Sequence, residues 1–259
     1  MASITKEIKD KTAYLTLNRP EVFNSFNREM ALLLQKELDD CESNPEVRAI
    51  VITGSGKAFC AGQDLKEVTS VELNPGFKKI LEEHYNPIIS RIRAIEKPII
   101  AAVNGVAAGA GANIALACDV VIASENATFI QAFSKIGLVP DSGGTFFLPR
   151  LIGFQKASAL MMLGDKVSAQ EAERMGMIYK VVSSETFSEE VNTIANTMAQ
   201  MPTKALGMTK RLLNKSINNS LEEQLDLEGK LQIESAQSDD YAEGVDAFVN
   251  KRKPNFKGN

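Results

Sequence analysis

Two periods of apolar residues alternate along the first 125 residues, one typical of strands and one typical of helices. Short apolar, β-branched runs predict buried strands at 13–17, 47–53, 99–103 and 119–124. Apolar residues recur every three to four positions in 27–41, where Met30, Leu34 and Leu38 share a face, and the spacing also predicts a helix over 76–95. This alternation indicates a parallel or mixed sheet covered by helices, an α/β core.

Helical periodicity dominates after about residue 143, with one short strand predicted near 177–182. The predicted helices are 154–163, 168–175, 186–200, 203–217, 220–236 and 239–250. We therefore predict two regions, a core over residues 1–200 and a helical C-terminal region over residues 201–259. Such a region is either an appended subdomain or a layer through which copies of the chain associate.

Composition and charge exclude several classes of function. The 259 residues are 44% hydrophobic and 24% charged, which is the composition of a globular protein. A net charge of -4 gives no basic face for nucleic acid. Because His84 is the single histidine, a zinc site built on several histidines is excluded, and a Ser-His-Asp triad would have to use it.

Cysteine use and the N-terminal sequence favour a cytoplasmic protein. Cys41, Cys60 and Cys118 are widely spaced and odd in number, which favours a reducing compartment over a disulfide framework. No charged segment leads into an apolar run near the start, so no signal peptide is predicted. The longest apolar stretch is interrupted at Asn104 and is too short to span a bilayer.

Two glycine-rich loops each follow a predicted strand: GSGKAFCAGQDLK at 54–66 and NGVAAGAGAN at 104–113. Neither fits a known phosphate-binding motif, because Ala58 follows Gly56-Lys57 and Ile114 stands where a dinucleotide fingerprint needs its third glycine. Small residues let a ligand approach backbone N–H groups, and two such donors can hold a carbonyl oxygen that gains negative charge. The alternative is that these residues only permit tight helix–strand packing.

Together, KAFCAGQDLKE and KPIIAAVNGVAAGAGANIALACDVVIAS resemble the crotonase superfamily, the enoyl-CoA hydratase/isomerase fold. The segments LPRLIG, LMMLGDKVSAQEAERMGMI and FVNKRKPNFK extend the resemblance over nearly the whole chain. It implies a spiral of ββα units with a helical C-terminal trimerisation region, hence a homotrimer or hexamer. It also implies an acyl-CoA thioester substrate and no metal or redox cofactor.

The resemblance assigns roles to the two loops. It implies that the backbone N–H groups of Gln63 and Ala110 form an oxyanion hole. Coenzyme A is expected to contact the following residues: Ala61, Gln63, Asp64, Leu65, Lys66, Ala110 and Lys251. The resemblance leaves open whether Lys251 meets ligand from its own chain or a neighbour's. The alternative for Lys251 is that it belongs to a solvated basic tail.

The acid–base residue decides the reaction. The two glutamates of the family's hydratases fall on Asn113 and Phe133, and neither side chain transfers a proton, so efficient water addition is not expected. Asp141, in FIQAFSKIGLVPDSGG, is the available carboxylate. A single base beside the acyl chain can remove a proton at one carbon and return it at another, and burial would raise its pKa. The alternative is that Asp141 caps a helix.

We therefore expect an acyl-CoA isomerase. The alternatives are a general enoyl-CoA hydratase or isomerase of fatty-acid degradation, and a non-catalytic CoA-binding homologue. Residues 67–93 are expected to form a wall of the acyl pocket, where the near-helical spacing of Phe77, Leu81, His84 and Tyr85 predicts packing roles. Other candidates for lining the pocket are Phe133, Phe146 and Phe147. Neither Ser142 nor Cys60 is expected to act as a nucleophile.

Overall fold

The computed structural model describes residues 2–259, and a mixed six-stranded sheet runs through its core. Its strands, in spatial order, are β1 (Ile4–Lys9), β2 (Thr12–Leu17), β3 (Ala49–Gly54), β5 (Ile99–Val103), β7 (Val120–Ser124) and β10 (Lys180–Val182). All neighbouring pairs are parallel except β1 and β2, which form an antiparallel hairpin. The four strands predicted before residue 125 are confirmed within two residues at each end, and the strand predicted near 177–182 begins three residues later, at Lys180. Strand β1 was missed because its outward face is polar and its residues are mostly exposed.

A second sheet has four short strands: β4 (Ala58–Cys60), β6 (Val106–Ala108), β8 (Thr128–Ile130) and β9 (Lys166–Ser168). The chain leaves β3 for β4, β5 for β6 and β7 for β8, so each of three successive turns adds one strand to each sheet. The two sheets therefore grow together through parallel strands, which confirms the predicted spiral of ββα units.

Twelve α-helical segments cover the sheets and form the C-terminal part of the described chain. They are α1 (Arg28–Ser43), α2 (Leu65–Thr69), α3 (Phe77–Lys79), α4 (Asn86–Ala94), α5 (Ala110–Ala117), α6 (Gly144–Ile152), α7 (Phe154–Leu163), α8 (Ala169–Arg174), α9 (Phe187–Gln200), α10 (Thr203–Ser216), α11 (Leu221–Ser235) and α12 (Asp239–Val249). The six helices predicted after residue 143 are confirmed within about a residue at each end. Helix α5 is buried along its whole length, which is why it shows no polar face in the sequence.

The helix predicted over 76–95 is present over 77–94, but it is not α-helical throughout. Between α3 and α4 the residues Ile80–Tyr85 form a widened π-helical turn, in which the Asn86 N–H donates to the Leu81 carbonyl. Pro87 explains the change, since it has no N–H to give to the Glu83 carbonyl. That carbonyl instead accepts a hydrogen bond from Gln35 Nε2 at 2.7 Å.

Buried polar contacts hold the C-terminal helices to the core. Arg48, which is 4% exposed, donates to Thr203 Oγ1 at 2.8 Å and to the Phe256 carbonyl at 2.7 Å. Lys210 on α10 pairs with Asp119, just before β7, at 2.8 Å. Residues 254–259 therefore lie against the core rather than extending into solvent. Among residues 2–259, none of the helices is long and apolar enough to cross a membrane.

Candidate active site

The two glycine-rich loops lie side by side, one after β4 and the other between β6 and α5. A β-carbon at Gly62, where φ is +92°, would stand 3.1 Å from the Ala108 carbonyl oxygen and 3.5 Å from the Ala110 nitrogen. A β-carbon at Gly111 would stand 2.3 Å from the Cys60 carbonyl oxygen, which is closer than atoms can approach. The packing interpretation of these glycines is therefore correct, and the same packing brings the Gln63 and Ala110 backbones together.

Two backbone N–H groups are left without acceptors where the loops meet. The Gly62 carbonyl accepts from Phe26 N–H at 2.7 Å, and the Asp64 N–H donates to the Phe26 carbonyl at 2.8 Å. Because neighbouring residues of an extended chain alternate in direction, the Gln63 N–H points away from Phe26. Ala110 opens α5, where N–H groups have no partner within the helix. Within residues 2–259, neither amide donates a hydrogen bond.

A cavity of about 440 Å³ opens at these two amides. Seven of the eight predicted site residues line it: Ala61, Gln63, Asp64, Leu65, Lys66, Ala110 and Asp141. Most of the remaining wall is apolar and comes from Phe77, Ile80, Ala132, Phe133, Ile136 and Leu138. The arrangement suits a ligand with an apolar chain and a carbonyl oxygen that reaches the amides.

The charged side chains that line the cavity differ in whether they are already paired within the chain. Asp64 is already occupied, since Arg19 Nη2 lies 2.8 Å from its Oδ2 and the Lys66 N–H donates to its Oδ1. Asp64 therefore fixes the loop and caps α2, and its part in the cavity wall is structural. Lys66 and Lys135 also line the cavity, and neither forms a salt bridge within the described chain. Both ammonium groups remain available for an anionic group of a ligand.

Asp141 supplies a carboxylate to the wall of the same cavity. Burial raises the pKa of Asp141 above its usual value of 3.8, and a hydrogen bond from the Ser142 hydroxyl to Oδ1, at 2.8 Å, partly offsets that rise. Helix α6 begins after Gly143, and the carboxylate makes no cap to it, so the alternative helix-cap role is wrong. Ser142 has a φ of +51°, a strained value for a residue with a side chain.

A buried amide holds the backbone of Asp141 to helix α5. Asn113 Nδ2 donates to the Asp141 carbonyl oxygen at 2.9 Å, and Gln131 Nε2 donates to Asn113 Oδ1 at 2.8 Å. Asn113 is fully buried and does not line the cavity. The helix that begins with the Ala110 amide is thus joined directly to the segment that carries the carboxylate.

Several other expectations are corrected or refined by the structure. Phe133 lines the cavity, but Phe146 and Phe147 do not, because they pack edge-to-face on each other at 5.2 Å on helix α6. Lys251 is exposed and lies outside the cavity of its own chain. The tail after it is docked rather than freely solvated, since the Lys257 N–H donates to Asp240 at 2.6 Å.

The expected packing roles of His84 and Cys60 agree with their positions. His84 is fully buried away from the cavity lining, and burial lowers its pKa, so the ring is neutral. Cys60 is fully buried, which raises the pKa of its thiol to about 12 and leaves it protonated at neutral pH.

Residues 67–93 contribute to the cavity wall as expected, through Phe77, Ile80 and Tyr85, but the sequence did not indicate the roles of three side chains in the site. Tyr85, Glu67 and Lys135 either line the cavity or bind the side chain of a residue that does. Tyr85 was assigned to packing because its spacing is helical, and the π-helical turn before Pro87 changes the direction in which it points. A proline within a helical pattern, here Pro87, is the sequence signal that the α-helix is locally distorted.

Comparisons with known proteins agree with this arrangement. Residues 7–259 match the family model described as "Enoyl-CoA hydratase/isomerase". The chain is 45% identical over 260 residues to the 1,2-epoxyphenylacetyl-CoA isomerase of Escherichia coli, covering 100% of this chain and 99% of that one. It is 44% identical to a protein of Rhodobacter capsulatus described as "Probable enoyl-CoA hydratase", over 99% and 98% of the two chains.

A solved structure extends the likeness to the fold. The crystal structure of the enoyl-CoA hydratase from Bacillus anthracis superimposes with a TM-score of 0.93 at 31% identity, covering 99% of this chain and 100% of that one.

The Asn113 clamp gives a stability prediction. Replacing Asn113 with Leu leaves the buried Gln131 amide without its acceptor and the Asp141 carbonyl with the Gly144 N–H as its remaining donor, so we expect the free energy of unfolding to fall by about 2–4 kcal/mol. Urea denaturation followed by circular dichroism measures this change. As a control, Asn126→Leu alters an exposed amide and is expected to shift stability by no more than about 0.5 kcal/mol. Equal stabilities of Asn113→Leu and wild type would show that the clamp contributes nothing.

Proposed function

Because the chain belongs to the enoyl-CoA hydratase/isomerase family, we propose that it is an acyl-CoA isomerase in which Asp141 moves a proton along the acyl group. The supporting observation is that one of the two carboxylates in the cavity wall is free of a salt bridge within the described part of the chain. Of the two aspartates that line it, Asp64 is bound to Arg19, whereas Asp141 carries a raised pKa and, among residues 2–259, has only the Ser142 hydroxyl as a side-chain partner. One unpaired base beside an apolar chain is what double-bond migration requires.

The proposed reaction runs through an enolate. The thioester oxygen accepts hydrogen bonds from the Gln63 and Ala110 N–H groups, and the Asp141 carboxylate removes a proton from the carbon next to the thioester. The amides stabilise the negative charge that develops on oxygen. Asp141 then returns the proton to a carbon farther along the chain, which converts a 3-enoyl thioester into its conjugated 2-enoyl isomer. No oxidant, reductant or metal takes part in this proton transfer.

We propose that the acyl group of the natural substrate derives from an aromatic compound. The relative from E. coli is described as an isomerase of 1,2-epoxyphenylacetyl-CoA, and the cavity wall here includes Phe77 and Phe133. For 2-(1,2-epoxy-1,2-dihydrophenyl)acetyl-CoA, loss of the proton next to the thioester sends electrons into the ring. The C–C bond shared by the epoxide and the six-membered ring breaks while both C–O bonds remain, which gives the seven-membered oxepin, and the proton returns at a ring carbon, so that the product, oxepin-CoA, is an isomer of the substrate. Such a step belongs to phenylacetate degradation.

A hydratase is the second candidate, because other relatives carry that description. Against efficient hydration, Phe133 is apolar, and the Asn113 amide is buried and committed to the Asp141 backbone. Neither residue can activate a water molecule. Incubation with 2-enoyl-CoA and detection of the 3-hydroxyacyl product separates this candidate from the isomerase.

Replacing Asp141 with Asn tests the base. The amide cannot accept the proton, so we expect the rate of conversion of trans-3-hexenoyl-CoA to fall by a factor of about 10²–10⁴. The conjugated 2-enoyl product is followed by ultraviolet absorbance and confirmed by chromatography. Asp165→Asn, at an exposed aspartate outside the cavity, is the matched control and should retain the wild-type rate. Full activity of Asp141→Asn would place the base elsewhere, and an inactive wild type would favour a narrow aromatic specificity or a binding protein.

The pH dependence of turnover follows from the environment of Asp141. Its base form is the carboxylate, so kcat is expected to fall as the pH drops through a pKa that burial has raised above 3.8. The Ser142 hydroxyl stabilises the carboxylate and lowers this pKa. Ser142→Ala should therefore move the acid limb of the profile to higher pH. A profile of kcat against pH for both proteins measures the shift, and an unchanged or lower limb would contradict the assignment.

We further propose that residues 201–259 help to form a homotrimer or hexamer, in which Lys251 can approach a neighbour's cavity. Large apolar side chains are exposed on the C-terminal helices, including Leu221, Ile233 and Phe248. Light scattering should give about three or six times the chain mass of 28.2 kDa, and Phe248→Glu should reduce it. A mass of one chain for the wild type would contradict the proposal.

A further inference from the structure

The side chain of Gln63 is held at both ends. The Tyr85 hydroxyl donates to Gln63 Oε1 at 3.0 Å, and Gln63 Nε2 donates to Glu67 Oε2 at 2.7 Å. Glu67 is itself fixed, because its Oε1 accepts a hydrogen bond from the Arg28 N–H at 2.8 Å. Tyr85 and Glu67 are 1% and 8% exposed, so water competes little for these contacts. The orientation of the Gln63 amide is thereby determined, with its oxygen toward Tyr85 and its nitrogen toward Glu67.

The position of Tyr85 follows from the π-helical turn. A π turn contains one more residue than an α turn. By the end of such a turn, side chains are therefore rotated about the helix axis by about 100° relative to an uninterrupted α-helix. Tyr85 is the last residue of the turn and lines the cavity. Its ring packs edge-to-face against Phe26 at 6.1 Å, and Phe26 is the residue that pairs with the backbone beside Gln63. Tyr85 therefore contacts the side chain of Gln63 and also contacts Phe26, the residue that holds the Gln63 backbone.

We propose that Tyr85 is a positioning residue, which directs the Gln63 N–H at the thioester oxygen by anchoring the Gln63 side chain. The inference rests on the proposed function, in which that N–H stabilises the enolate. Phe26 restrains the backbone on one side, and Tyr85 with Glu67 restrains the side chain, so the N–H keeps a single direction. Burial keeps the pKa of Tyr85 well above 10.0, and its hydroxyl remains a donor throughout the neutral range.

Tyr85→Phe removes only the hydroxyl oxygen and its proton. The Gln63 side-chain oxygen Oε1 then lacks its donor, and the Gln63 backbone N–H loses part of its restraint. We expect kcat for 3-hexenoyl-CoA to fall between about 10- and 100-fold, less than or similar to the cost of deleting an oxyanion donor, with KM changed by less than about threefold. Tyr14→Phe, at a half-buried tyrosine outside the cavity, is the control and should leave kcat unchanged. An unchanged kcat in Tyr85→Phe would overturn the proposal.

A binding measurement separates this proposal from the identity of the base. Acetoacetyl-CoA forms an enolate with a strong ultraviolet band, and oxyanion donors favour that form when the ligand is bound. We expect the band with the wild type and with Asp141→Asn, and a weaker band with Tyr85→Phe at saturating ligand. If Asp141→Asn proves fully active as an isomerase, this readout still reports on the donors. A full-strength band in Tyr85→Phe would overturn the positioning role.

A double variant identifies the route by which Tyr85 acts. If the hydroxyl works through the Gln63 side chain, then adding Tyr85→Phe to Gln63→Met should reduce kcat by less than about twofold further, because the shared contact is already lost. Losses that multiply would mean that the hydroxyl contacts the substrate itself, and would overturn the proposal.

Discussion

Two consecutive turns of the spiral approach each other at Gly62 and Gly111 so closely that a β-carbon at either position would meet the other turn's backbone. This contact determines the distance between the Gln63 and Ala110 amides, because each amide is next to one of the glycines. The bonds between Phe26 and the residues on both sides of Gln63 then determine which way its N–H points. The rest of the cavity, including its apolar wall, is arranged around these two donors.

Two opposing effects determine the pKa of Asp141. Desolvation disfavours the carboxylate, the Ser142 hydroxyl favours it, and the apolar wall excludes other polar partners from its surroundings. Its backbone is fixed separately, through Asn113 and Gln131, so the carboxylate does not need a strong ion pair to keep its place. A raised pKa makes a carboxylate a stronger base than a salt-bridged one, whose pKa the neighbouring cation lowers.

Much of this arrangement could be predicted from the sequence, and the exceptions have physical causes. The long helices and the buried strands of the first sheet have clear periods, so their bounds were predicted well. The second sheet was not predicted, because strands of three residues such as Val106–Ala108 are too short to show a period and depend on distant partners. Six of the eight expected site residues meet in one cavity because they lie in the two loops, and Asp141 reaches the same cavity from the segment before α6, whereas the direction of Tyr85 depends on the π-helical turn before Pro87.

The spiral also has a consequence for the order of events during folding. The two amides lie 47 residues apart along the chain, from 63 to 110, and Asp141 follows 31 residues later. Each comes from a different turn, and the turns pair through parallel strands, whose contacts are distant in sequence. A chain emerging from the ribosome therefore cannot assemble this cavity until roughly its first 150 residues are free to pack. Contacts of such long range are formed slowly, since the entropy of closing large loops must be overcome first.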